Sequence, residues 1–77
     1  MEQVIKASPR IGNNIRNARK AKGLTQEVLA ARLQVNGIDI ARYTLARIET
    51  GSRHIAIEEL EAIKAILDMD YADFFKK

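Results

Sequence analysis

With 77 residues the chain has room for one small domain and one core, and no second domain is expected. Its hydrophobic fraction of 47% against 30% charged is that of a domain that folds and stays in solution, and the lack of any cysteine excludes disulfides and thiolate metal sites. The formal charge of +3 is only mildly basic, so it excludes little by itself and its distribution carries the information.

The chain then reads as five short helices. Ser8-Pro9 is a strong helix start: the serine hydroxyl accepts from free N–H groups, and proline suits the first helical position because its missing N–H is not needed there. Ile11, Ile15 and Ala18 recur on one stripe, and Gly23 ends this helix in the left-handed region. Thr25 caps a second helix whose apolar side is expected from Val28, Leu29 and Leu33, with Gly37 as its stop. A third helix carries Leu45 and Ile48 as its buried pair and stops at Gly51. Asp39 is a better cap for it than Ala41, which puts its start near Ile40. A fourth helix carries Ile57, Leu60, Ile63 and Leu67 at three- and four-residue spacing. Asp70 caps a short fifth helix, with Asp73 as a reciprocal acceptor, and Phe74 and Phe75 are expected to close the core. No alternating run predicts a strand. Residues 1–7 are expected to be an N-terminal arm, either frayed or paired with a partner, ahead of a domain spanning 8–77.

Charge runs unevenly along these elements. Residues 1–23 carry a net +5, residues 24–54 a net +1 and residues 55–77 a net −3. The first part can face a polyanion and the last cannot. Met1 to Ala7 is too short and polar for a signal peptide, and no apolar run approaches the ~18 residues that span a bilayer, so no membrane association is expected. A secreted domain of this size would usually need disulfide staples, which points to the reducing cytoplasm.

The stretch Gly23-Leu24-Thr25-Gln26-Glu27-Val28-Leu29-Ala30, followed by Leu45-Ala46-Arg47-Ile48-Glu49-Thr50-Gly51, resembles the phage-repressor and Cro-like (XRE-type) helix-turn-helix family. The resemblance runs from about Ile11 to Phe75, with Asp70-Tyr71-Ala72-Asp73-Phe74-Phe75 similar to the family's closing helix. It implies an all-α fold of five helices. Four positions depart from the family pattern. Eleven residues separate Leu33 from Leu45, more than is usual, which looks like a subgroup with an extended Gly37-Ile38-Asp39-Ile40 turn. Ala41 stands where that subgroup often has a serine cap, Ala46 where serine or asparagine is frequent, and Lys64 where a small alanine is common.

The resemblance implies double-stranded DNA as partner, read by the third helix. Burial of Leu45 and Ile48 would leave Arg42, Tyr43, Ala46 and Arg47 available to the major groove or its walls, with Thr44 and Ala46 the weaker candidates. Arg42 leads, because arginine donates two hydrogen bonds to guanine O6 and N7. Gln26 is expected against the DNA backbone at a helix N-terminus that itself favours phosphate. Thr50, Ser52 and Arg53 are backbone candidates around Gly51, with Arg16 and Lys20 as looser ones. Arg19 and Glu49 are implied to form a partly buried ion pair that positions rather than reads. Ala30 is expected where the second and third helices approach most closely.

Each of these residues also has a plainer reading: Arg42 a solvated arginine, Tyr43 a ring lying on the domain's own surface, Ala46 a simple helix former. His54 is the only histidine, so neither a metal site nor a catalytic pair is expected, and no cofactor. Glu58, Glu59 and Glu61 are most simply a solvated face near a helix N-terminus. A sequence-specific transcriptional regulator follows, more often a repressor in this family, acting as a homodimer through the fourth and fifth helices. The rival is an antitoxin-like or protein-interaction module on the same fold, and an enzyme comes a distant third.

Overall fold

The computed structural model describes residues 4–77. In chain order these form β1 (Val4–Ile5), α1 (Pro9–Ala21), α2 (Gln26–Val35), α3 (Arg42–Thr50), β2 (Ile55–Ala56), α4 (Ile57–Leu67) and α5 (Tyr71–Phe75). α1 is the central element: it packs on α3, α4 and α5, while α2 rests on α3 and α4. The helices are too short to be stable alone, so this packing is what holds them. Ile15, Leu29, Leu33, Ile40, Leu45, Ile63 and Phe74 are completely enclosed in a single core.

Local signals explain most helix boundaries. The Ser8 Oγ accepts from the Ile11 N–H at 3.4 Å and Pro9 opens α1. The Thr25 Oγ1 accepts from the Val28 N–H at 3.1 Å and opens α2. Gly23, Gly37 and Gly51 all take positive φ where α1, α2 and α3 stop. At the end of α2 the Ile38 N–H donates to the Leu33 carbonyl and the Gly37 N–H to the Gln34 carbonyl, which satisfies carbonyls that the helix leaves free. The Asp70 N–H donates to the Asp73 carboxylate at the start of α5.

Four expectations are corrected. α3 begins at Arg42, not near Ile40, with Ala41 as its cap and no side-chain capping bond. The reason is tertiary: Ile40 is only 1% exposed and anchors the extended turn in the core, and its carbonyl accepts from the Gln34 side chain at 2.9 Å. Asp39 consequently lies outside the helix start. Val28 is 41% exposed and Phe75 47%, so neither closes the core; Leu29 and Phe74 do, being the neighbours that face inward. Glu59 is not a solvated acid, because Arg53 folds over it. Finally, the arm does pair, but with its own chain: β1 and β2 are antiparallel, with Val4 opposite Ala56 and Ile5 opposite Ile55. Two residues per strand are too few for an alternating pattern to register in the sequence. The Ala7 N–H donates to His54 Nδ1 at 2.7 Å and extends this pairing by one contact. The first three residues lie outside the described part, so only the second half of the expected arm is seen.

Candidate nucleic-acid interface

α1 and α3 set the geometry of the site, and they approach so closely that each side contributes a glycine. A Cβ on Gly12 would fall on the carbonyl oxygens of Ile48 and Glu49. A Cβ on Gly51 would fall on the backbone of Ser8 and Pro9, and its φ of +78° adds a second demand for glycine. Ala30 is buried, but the positions where an added side chain would meet backbone are Gly12 and Gly51. A glycine inside a helix reads in sequence only as a weak helix former, so its role becomes visible only when α3 lies over it.

Between these helices sits a polar network. Arg19 Nε donates to Glu49 Oε2 at 2.7 Å and Nη2 to Oε1 at 3.1 Å. Arg19 Nη1 donates to the Leu24 carbonyl at 2.8 Å, and Gln26 Nε2 donates to Glu49 Oε1 at 3.0 Å. α1, the start of α2 and α3 are therefore tied at one carboxylate. Both ions are buried, so the pair stands in a low-dielectric environment where an unmatched charge would be costly. The Arg19–Glu49 pair, expected to be partly buried, is enclosed on both sides.

Above this network lies an open groove of about 760 Å³. Arg16 and Lys20 of α1, Thr25 and Gln26 at the start of α2, and Arg42 and Ala46 of α3 line it. Of the candidate residues, Gln26, Arg42, Ala46 and Thr50 meet at this groove, as do Arg16 and Lys20. Tyr43 and Arg47 are exposed one helical turn apart on the neighbouring face of α3, and Thr44 is half-buried. Leu45 and Ile48 face the core. The groove thus presents the cations Arg16, Lys20 and Arg42, the free N–H groups of a helix start and one face of α3, with Glu27 and the paired Glu49 also in its lining.

Thr50 and the two loop candidates after it have partners within the chain. The Thr50 and Ser52 hydroxyls both donate to the Arg47 carbonyl, at 3.1 and 3.2 Å, and sit 2.9 Å from each other, so they close the end of α3. Arg53 grips Glu59 with two bonds, 2.9 and 3.2 Å, and also donates to the His54 carbonyl. Glu59 in turn accepts from the Ala56 N–H at 2.9 Å, the first free donor of α4. The hydrogen bond to Glu59 raises the Arg53 pKa further, so the guanidinium is permanently charged and already paired. Composition and spacing carried no sign of this partner, because Glu59 reads as one of three adjacent acids.

A fold of short helices in which α2 and α3 jointly frame a basic groove defines a helix-turn-helix domain. The sequence pattern of the helix-turn-helix family matches residues 15–74, and this chain belongs to that family, of the XRE type. Among solved structures, the restriction-modification controller protein C.AhdI from Aeromonas hydrophila is similar, with a TM-score of 0.73 and 27% identity over 86% of this chain and 92% of that one. A variant of the restriction-modification controller protein C.Esp1396I gives a TM-score of 0.69 and 31% identity over 97% of this chain and 86% of that one. The clp gene regulator ClgR from C. glutamicum shares the fold at a TM-score of 0.74 and 23% identity, over 96% and 86% of the two chains. No curated protein sequence matches. No helix among the described residues is long and apolar enough to cross a membrane.

Proposed function

We propose that this chain is a transcriptional regulator of the repressor type that binds double-stranded DNA and reads a short sequence in the major groove with α3. One observation carries the reading: Arg42 and Ala46 on the exposed face of α3 share a groove with Gln26 and the α2 N-terminus, over a floor fixed by the Arg19–Glu49 pair. Arg42 reads bases, with Tyr43, Ala46 and Arg47 at the groove edge and Thr44 as a secondary contact. Gln26, Arg16 and Lys20 hold phosphates. Thr50 and Ser52 shape the end of α3 and meet phosphate through their neighbouring backbone. Arg53, being paired with Glu59, orients this loop before it touches DNA. Membership of the helix-turn-helix family and likeness to restriction-modification controller proteins support a regulatory rather than an enzymatic role, which we place in the cytoplasm.

Two copies joined through α4 and α5 would place two reading helices on half-sites about one DNA turn apart. Tyr71 and Phe75, exposed on α5, support that face. A second reading, a protein-interaction module of antitoxin type, is favoured by a different patch. Val28 and Val35 on α2 are exposed and, with Ala31 of the same helix and Ile66 of α4, line an apolar groove. Selection of binding duplexes from a random pool, run beside Arg42→Ala, separates the two. A palindromic motif that relaxes at one position in the variant is expected. Salt-sensitive binding with no motif would overturn base reading and favour the protein partner.

A further inference from the structure

We propose that a second basic groove, on the far side of Arg16 from the first, is an additional contact for the DNA backbone, made by Arg10 and Arg16 of α1 together with Lys76 and Lys77 beyond α5. The inference rests on the DNA-binding reading above and extends it to residues outside the helix-turn-helix. Charge along the chain points the other way, because Lys76 and Lys77 belong to the acidic third. Tertiary structure reverses this. The side chain of Asn14, itself buried at 8% exposure, donates to the Phe74 carbonyl at 2.9 Å and to the Lys76 carbonyl at 2.8 Å. Both amide hydrogens are engaged, and the chain leaves α5 in an extended conformation at Lys76, alongside the first half of α1. The two lysines then line one groove with Arg10, Asn13 and Arg16.

Three features make this groove a phosphate contact. Among the described residues none of the four cations forms an ion pair. The one acid in the lining is Glu49, whose oxygens are taken by Arg19 and Gln26. The groove is also continuous with the first, since Arg16, Glu49 and Thr50 line both. Along α1, Arg10, Asn13, Arg16 and Lys20 follow at three- and four-residue steps, one polar stripe about 15 Å long. No aromatic residue lines the second groove, so it has no platform for stacking bases of a single strand. It holds backbone and reads nothing.

The test is a salt series of Kd for the wild-type chain, Lys76→Gln/Lys77→Gln and Lys64→Gln on one duplex: a sequence recovered by the selection above, flanked by random DNA. Lys64 lies over the Tyr71 ring, away from both grooves, and twice the change in slope caused by Lys64→Gln stands for the loss of two charges elsewhere. Each phosphate contact removed lowers the slope of log K on log salt by about 0.9. The double variant is expected to lose about 1.8 for each bound copy, so that per copy a fourfold rise in salt costs it roughly tenfold less affinity than it costs the wild type. The recovered motif stays the same. A change of slope in the double variant no larger than twice that of Lys64→Gln would overturn the second groove and leave the DNA-binding reading intact. A wild-type chain that binds no duplex would overturn both.

Discussion

Arg19 of α1 and Glu49 of α3 join through two parallel hydrogen bonds, with their side chains only 8% and 2% exposed. The pair lies thirty residues apart in sequence and stands directly under the groove. Glu49→Ala would leave the Arg19 guanidinium buried without its counter-charge. The expected loss is about 3–5 kcal/mol, a large share of the ~5–15 kcal/mol that holds a domain together. Replacing both residues with apolar ones of similar volume is expected to cost far less, because no charge is then stranded. Urea unfolding of the single and double variants measures this, and a double variant as unstable as the single one would refute the ion-pair account.

Gly12→Ala sets two effects against each other. Alanine favours a helix interior by about 1 kcal/mol over glycine. The new methyl, however, would meet the Ile48 and Glu49 carbonyls, which are backbone and cannot rotate away. Overpacking of this kind costs about 1–3 kcal/mol or more, so steric repulsion wins and the variant is destabilised. Thermal melting gives the sign, and a raised Tm would mean that α1 and α3 can separate without penalty.

Tyr71 offers a pH signature for the α4–α5 contact. Its hydroxyl donates to both oxygens of Glu61, at 2.6 and 2.7 Å, and this bond raises the phenol above its ordinary value near 10. A raised folded-state value means that the bond contributes below the ordinary phenol range and is lost as pH climbs through the folded-state one. Tyrosinate absorbance should therefore show one late-titrating phenol that moves down in Glu61→Gln and vanishes in Tyr71→Phe. An unchanged titration in Glu61→Gln would show that the contact does not persist in solution.

Local chemistry decided much of this molecule in advance. Ser8-Pro9, Thr25 and the three stop glycines act within a few residues of themselves, so the ends of α1 and α2 and the end of α3 were legible without any partner. The exposed face of α3 was legible too, since Leu45 and Ile48 leave Arg42, Tyr43, Ala46 and Arg47 on the other side by helical spacing alone. The Arg19–Glu49 link came only through the family resemblance, because nothing local connects positions thirty residues apart. What remained depended on which surfaces meet. The start of α3 moved to Arg42 because Ile40 is drawn into the core. The arm found β2 through a sheet too short to leave a pattern. Arg53 met Glu59, Gly12 met α3, and Asn14 carried two lysines from the acidic end of the sequence to the basic face of the fold. Caps and stops are short-range and therefore written in neighbouring residues. Close approach and charge pairing are set by distances across the core, which only the folded chain defines.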